Sequence, residues 1–499
     1  MYHNFVSEHH DFLQTEPKRK RREPGQRPKP TTKEELRKWL QEYCRGEKNH
    51  GEPNTWDVTS VTDMSELFHD LETFNAPIGQ WDTAQVTDME RMFHGATSFN
   101  QTLDWDTSQV TDMSEMFAET AFNNGGQPLT LDTSQVTDMR EMFWDADKFN
   151  QPLTFTDTSQ VTTMRHMFCQ ADAFNQPITL DTSQVTDMRE MFAGATAFNQ
   201  PLTFTDTSQV TDMALMFRYA TAFNQPLTFD TSQVTTMSHM FMNAEAFNQP
   251  LTFDTSQVTN MRHMFRDATS FNNGGQPLTF DTSQVTTMRY MFRGATSFNQ
   301  TLDWVTSEVT DMCEMFYEAE SFNNGGQPLT FDTSQVTTMR YMFRGATSFN
   351  QTLDWVTSEV TDMCEMFYEA ESFNNGGQPL AFNTSQVTDM QSMFRDADKF
   401  NQPLAFDTAQ VTTMRHMFYG ATAFNQPLTF DTSEVMDMCE MFRGATAFNQ
   451  PLNWYTSRVM DMRGMFQGAE AFNQRLYWNT FQVTDMSGMF RAATSFNQT

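Results

Sequence analysis

The stretch V-T-D-M-R-E-M-F-A-G-A-T-A-F-N-Q-P-L-T-F, residues 185–204, decides the fold, because it recurs along the chain with little change. Its valine returns 18 times, from Val61 to Val483, at spacings of 24 to 27 residues. Numbering each unit from that valine, Met stands at +3 in every unit (Met64 to Met486) and Phe at +7 in every unit (Phe68 to Phe490). The +6 position is Met in 17 units and Leu67 in the first. A Phe-Asn pair precedes the Q-P-L turn throughout, from Phe74-Asn75 to Phe496-Asn497. Self-similarity at this period marks a stacked array, in which one unit cannot bury its apolar face alone.

The composition follows from the repeat. Of 39 methionines, 35 occupy the +3 and +6 columns, and the 48 phenylalanines have the same origin. In one unit the inward set is Val185, Met188, Met191, Phe192, Ala195, Phe198, Leu202 and Phe204. Neither a period of 2 nor one of 3.6 persists across it. The spacing predicts a short strand, a tight helical or 3₁₀ turn, a bend and a second short strand. The expected fold is therefore a repeat solenoid, leucine-rich-repeat-like, with short strands plus short helical turns and about 18 coils of 24–27 residues. At about 4.8 Å per coil the array spans roughly 85 Å.

The Asn beside each Phe falls at the same place in every coil. Asn75, Asn100, Asn150, Asn199, Asn248, Asn299, Asn350, Asn401 and Asn449 are expected to form a structural ladder, their amides satisfying backbone groups at a bend. The D-T-S segments, with Asp132, Asp181 and Asp230, read as turns in which the carboxylate accepts from the backbone two residues on.

The motif W-D-T-S-x-V-T-D-M-S-x-M-F-x-G-A-x-x-F-N-Q-P-L resembles the repeat of the BspA-like leucine-rich-repeat surface proteins, specifically the 25-residue branch of mycoplasma-lipoprotein type. The resemblance covers residues 54–499. It implies a non-enzymatic adhesion or protein-binding scaffold at a cell or particle surface. The family's surface members carry signal peptides or lipid anchors, whereas this chain opens with the polar MYHNFVSEHH and has no run of 18 apolar residues. Read alone, the sequence points to the cell interior or the nucleus.

Three segments follow. Residues 1–30 form a basic tail expected to be disordered, with Lys18, Arg19, Lys20, Arg21 and Arg22 as a candidate targeting signal. Residues 31–53 are expected to form a capping helix and linker, opening with a capping box from Thr32 to Glu35. Residues 54–499 are the solenoid. The formal net charge is −31, and beyond residue 30 the chain has 25 basic and 59 acidic residues. Such a surface repels nucleic acid and anionic lipid, leaving nucleic acid only to the basic tail.

Between units the variation concentrates at +4, +5, +8 and +9, which are expected to line a solvent face that reads a protein or cell-surface partner. Here Arg289, Tyr290 and Arg293 are followed one coil later by Glu314 and Tyr317. The pattern repeats as Arg340, Tyr341 and Arg344, then Glu365 and Tyr368. These residues are the candidate partner-binding strip, or else cross-coil ion pairs. Residues 285–335 and 336–386 differ only at Thr330/Ala381 and Asp332/Asn383, a tandem duplication. Cys313, Cys364 and Cys439 share the +4 column and read as free thiols on the face. His239 and His263, stacked at +5, read as surface histidines. No Gly-rich phosphate loop, catalytic triad or metalloprotease spacing occurs, so the sequence assigns no catalytic residue, cofactor or metal. The alternative to a binding scaffold is a rod that self-associates through an uncapped C-terminal edge.

Overall fold

The computed structural model describes residues 27–498. They form a leucine-rich-repeat-like solenoid of 18 coils behind one helix. The candidate targeting residues Lys18 to Arg22 lie outside the described residues. Among those described, no helix is long and apolar enough to cross a membrane.

A parallel ladder at +2 ties the coils together, running unbroken from Asp63 to Asp485. Directly after it the backbone makes an uncommon excursion. In all 18 coils the residue at +5 is left-handed, from Glu66 (φ 52°) to Gly488 (φ 66°). The residue at +9 is left-handed as well, from Asp70 (φ 58°) to Ala492 (φ 58°). Each is the third residue of a four-residue turn, closed in coil 6 by Met191 N–H to Met188 O (3.2 Å) and by Ala195 N–H to Phe192 O (3.2 Å). Positive φ at that position is what a type II turn demands. The turns hold the intervening donors pointing along the array. Met188, Glu190, Phe192 and Gly194 each donate their N–H to a carbonyl of the next coil, at 3.1, 3.0, 2.9 and 2.6 Å. Half of the donors close the coil and half join it to its neighbour, so the segment leaves few backbone groups unpaired.

On the other side of the coil the joins pass through side chains. Thr83 Oγ1 donates to Asp106 O (2.8 Å), and the same buried threonine recurs in later coils. Regular strand pairing is confined to β1 (Leu129–Leu131) with β2 (Leu153–Phe155), and β3 (Ile178–Leu180) with β4 (Leu202–Phe204). In most coils a proline precedes this Leu and offers no N–H to a longer ladder. Between coils 6 and 7 Phe204–Phe229 closes to 5.3 Å, whereas between coils 7 and 8 the spacing widens, Phe217–Phe241, Phe223–Phe247 and Phe229–Phe253 lying 5.6, 6.0 and 6.4 Å apart. There the stack fans open, with the M-x-x-M-F side inside the curve.

The core is the expected set of columns. Val, both Met, Phe, Ala (Thr120 in coil 3) and the second Phe are essentially fully buried along coils 2 to 17. The phenylalanines stack face to face in two continuous columns, within-coil pairs such as Phe217–Phe223 lying 4.2 Å apart. Such offset ring pairs add to the burial of their area.

Helix α1 (Lys33–Cys44) closes the first coil, with Leu36, Trp39 and Leu40 buried. Thr32 caps it by accepting from Glu35 N–H (3.2 Å), while Glu35 reaches back to Thr31 N–H (2.8 Å). Arg37 completes the seal: its Nη2 donates to His69 O (3.0 Å), the +8 carbonyl that a preceding coil serves elsewhere.

Candidate functional site

The variable +4, +5, +8 and +9 positions form one strip along the inner side. Of the 20 basic residues in residues 54–499, 16 lie on it, and all 16 are arginines. The strip differs from the solvent face expected of it: most of its side chains are half-buried, and some are buried outright. A left-handed residue at +5 lays its side chain along the stack, against the same position of the next coil. His239, His263 and Tyr290 therefore stack in series at 4.4 Å per step. His263 is only 5% exposed, so these are not surface histidines. Burial, with arginines close by, holds His239 down at about 4 and His263 at about 3. Further along, His166 sits between Glu141 (3.3 Å from Nδ1) and Glu190 (3.2 Å from Nε2).

The cysteine column is likewise buried. Cys313, Cys364 and Cys439 are at most 5% exposed, because the +4 side chain tucks beneath the neighbouring coil's turn. Burial pushes the Cys313 thiol up to about 11 and the Cys364 thiol up to about 12. Among the described residues, Asp437, Cys439 and Asp461 bring ligand-type atoms within 4.8 Å of one another. Arg463 Nη2 already fills that corner, donating to Cys439 Sγ at 3.3 Å.

The structure brings the ten residues of the proposed partner strip together. Arg293 pairs with Glu314, and Arg344 with Glu365 at 2.5 Å. Arg289 donates to the Tyr290 hydroxyl (2.7 Å) and Arg340 to that of Tyr341 (2.6 Å). The Arg293 and Arg344 guanidiniums lie 4.4 Å over the rings of Tyr317 and Tyr368. The result is a lattice of alternating Arg, Tyr and Glu across coils 10 to 13. Its +5 acids are sunk, the Glu314 and Glu365 side chains being 11% and 13% exposed, while those of Arg289 and Arg340 reach out at 40% and 42%. Solvent thus meets guanidinium and phenol together with the exposed +9 carboxylates of Glu318 and Glu369.

The asparagines lie on another edge. Each accepts at Oδ1 from the backbone N–H of the Asn in the next coil, an unbroken series from Asn75–Asn100 (3.0 Å) to Asn473–Asn497 (3.1 Å). The following Gln amide joins the same acceptor, as Gln101 does at 2.9 Å. These amides are half-buried rather than buried, since the bend they brace lies at the rim. Sequence reasoning missed one set: the extra Asn of each N-N-G-G insert. Asn124, Asn273, Asn324 and Asn375 are buried, and each accepts at 2.8 Å from the N–H of a Leu in the preceding coil. Their place directly before the paired Gly was the available signal.

The family model described as "Mycoplasma protein of unknown function, DUF285" matches in overlapping stretches from 38–130 to 428–499, together spanning nearly all of the described coils. The chain belongs to this family of repeat proteins. Five solved chains match it. One is a leucine-rich repeat protein from Eubacterium ventriosum, 14% identical, covering 70% of this chain and 84% of that one with a TM-score of 0.36. Another is the TLR13–ssRNA13 complex, 10% identical, covering 87% and 65% with a TM-score of 0.23. None of the curated proteins compared with the chain matches it.

Proposed function

We propose that the protein is a non-enzymatic scaffold that binds a protein or cell-surface partner through the arginine- and tyrosine-bearing strip. One observation carries the reading: 16 of the 20 basic residues of an otherwise acidic solenoid stand on one narrow face. The hydrogen-bonded frame beneath that face is the same in coil after coil, so a partner meets fixed positions with variable chemistry. Arg and Tyr are the residue types that dominate interface energetics, and their internal pairing pre-organises them at low entropic cost. Exposed arginines alternating with the exposed Glu318 and Glu369 give the face a fixed pattern of both charges, which suits a partner of complementary pattern.

The test is site-specific photo-cross-linking in the full chain. A cross-linking residue at 289 or 340 should capture one and the same protein, and one at 203, across the coil, should not. R289Q/R340Q should then weaken that complex with the melting curve unchanged. Capture of the same protein from 203, or a complex indifferent to the double substitution, refutes the assignment of this face.

A further inference from the structure

Coils 7 to 10 carry a feature that protein binding leaves unexplained. Arg218, Arg262, Arg266 and Arg293 converge with His239 and His263 on a cleft of about 380 Å³, and no carboxylate lines it. Two of the arginines have acidic partners: Arg266 meets Asp267 at 3.1 Å, and Arg293 meets Glu314. Arg218 and Arg262 have no acidic partner within ion-pair distance among the described residues. Arg218 lies over the Tyr219 ring at 4.9 Å, and its Nε is buried without a hydrogen-bond partner. The Nδ1 atoms of His239 and His263 are also buried and unpartnered, although His263 is 95% enclosed. Unpartnered nitrogens of this kind recur along the strip, at Arg91, Arg165, Arg189 and Arg289, so what sets this cleft apart is its unbalanced charge.

The charge balance identifies its chemistry. Four guanidiniums around one space repel each other; two of them are ion-paired, and Glu190 feels the charge of Arg218 without pairing with it. We propose that this cleft binds a compact, multiply charged oxyanion of the phosphate or sulfate class, held by Arg218 and Arg262. Guanidinium forks match the oxygen geometry of such groups. The ligand is compact because the strip turns acidic on both sides. Glu115, Glu119, Glu141, Asp145 and Glu190 precede the cleft, and Glu314 and Glu318 follow it, so a long polyanion would be repelled at either end.

The experiment uses the full chain carrying K18Q/R19Q/K20Q/R21Q/R22Q, which removes the competing basic tail. Inorganic tripolyphosphate and a sulfated heparin disaccharide are titrated separately by calorimetry at low salt, with the histidine ring protons followed by NMR. One or both should bind with 1:1 stoichiometry, and the tighter of the two names the source. The bound anion should raise the titration midpoints of His239 and His263 by about one pH unit or more. R218Q/R262Q should weaken binding by about tenfold or more, given the strength of charged hydrogen bonds. R165Q, on the same strip but outside the cleft, should leave binding intact. Binding of neither probe overturns the proposal. So does an equal loss in R165Q, which would mean diffuse attraction, or binding that leaves both histidines unmoved.

Discussion

Replacing Asn224 by Ala removes one rung of the asparagine ladder in mid-array. The Asn224 Oδ1 accepts from Asn248 N–H at 2.9 Å and from Gln249 Nε2 at 3.1 Å. The Gln249 amide also reaches Asn224 O at 3.1 Å, so it keeps a partner when the side chain is cut back. The Asn248 N–H keeps none. Orphaning one half-buried donor costs about 1–2 kcal/mol, toward the lower end of the range for buried groups because water reaches the rim. Asn224→Asp retains the acceptor and should cost less than about 0.5 kcal/mol. A stack of many coils does not unfold as a two-state unit, so the local readout is native-state hydrogen exchange. Protection of the Asn248 amide should fall by about tenfold in Asn224→Ala, since 1.4 kcal/mol is a factor of ten. The distant Asn449–Asn473 rung should be unaffected. Unchanged protection at Asn248 refutes the reasoning, and so does equal damage from Asp and Ala, because an acceptor would then not be what the position supplies.

Two further predictions concern the inner strip. Gly444 is left-handed (φ 70°), and a Cβ there would meet nothing nearer than 3.8 Å, so Gly444→Ala isolates the conformational penalty. It should destabilise by about 1 kcal/mol, the left-handed cost less the entropy removed from the unfolded chain; a variant as stable as the parent in urea would show that the turn relaxes. Iodoacetamide at pH 8 should alkylate the native chain first at Cys44, which is half-buried, and should leave Cys313 and Cys364 unmodified until denaturant is added. The sign is that of a raised thiol: burial favours the neutral form, so the reactive thiolate is scarce until pH far exceeds that needed in the unfolded chain. Rapid native labelling at either buried cysteine would contradict this packing.

The core columns were legible because side-chain identity alone encodes them. Val185, Met188, Met191, Phe192 and Phe198 repeat where nothing but burial constrains them, and a repeated Asn beside Phe198 could only stack on itself. The inner strip was harder to read, for a physical reason. Left-handed backbone usually advertises itself as glycine, and at +9 Gly194 and Gly294 do so. At +5 glycine stands only in the last two coils, at Gly464 and Gly488, and elsewhere the same conformation is held by residues such as Glu190, His263 and Tyr290. Without it, the side chains at +5 read as pointing outward, and His263 reads as a surface residue. The cross-coil carbonyls that compensate the left-handed cost, such as Ala214 O for Glu190 N–H, lie 24 residues away, beyond any local signal.

The Arg–Tyr–Glu lattice sets a parity rule for growth of the array. Coils 10 and 12 are guanidinium coils, and coils 11 and 13 are carboxylate coils. The duplicated block, residues 285–335 and 336–386, holds one of each. Copying the pair returns an arginine coil to every acidic neighbour: Arg344 lies over Tyr317 at 5.3 Å across the duplication seam, as Arg395 lies over Tyr368 at 4.7 Å beyond it. Inserting a single copy of either coil would set guanidinium against guanidinium, as coils 9 and 10 already do at Arg262 and Arg289, or carboxylate against carboxylate. The copied block keeps the alternation, so within it the evolutionary unit is twice the structural one.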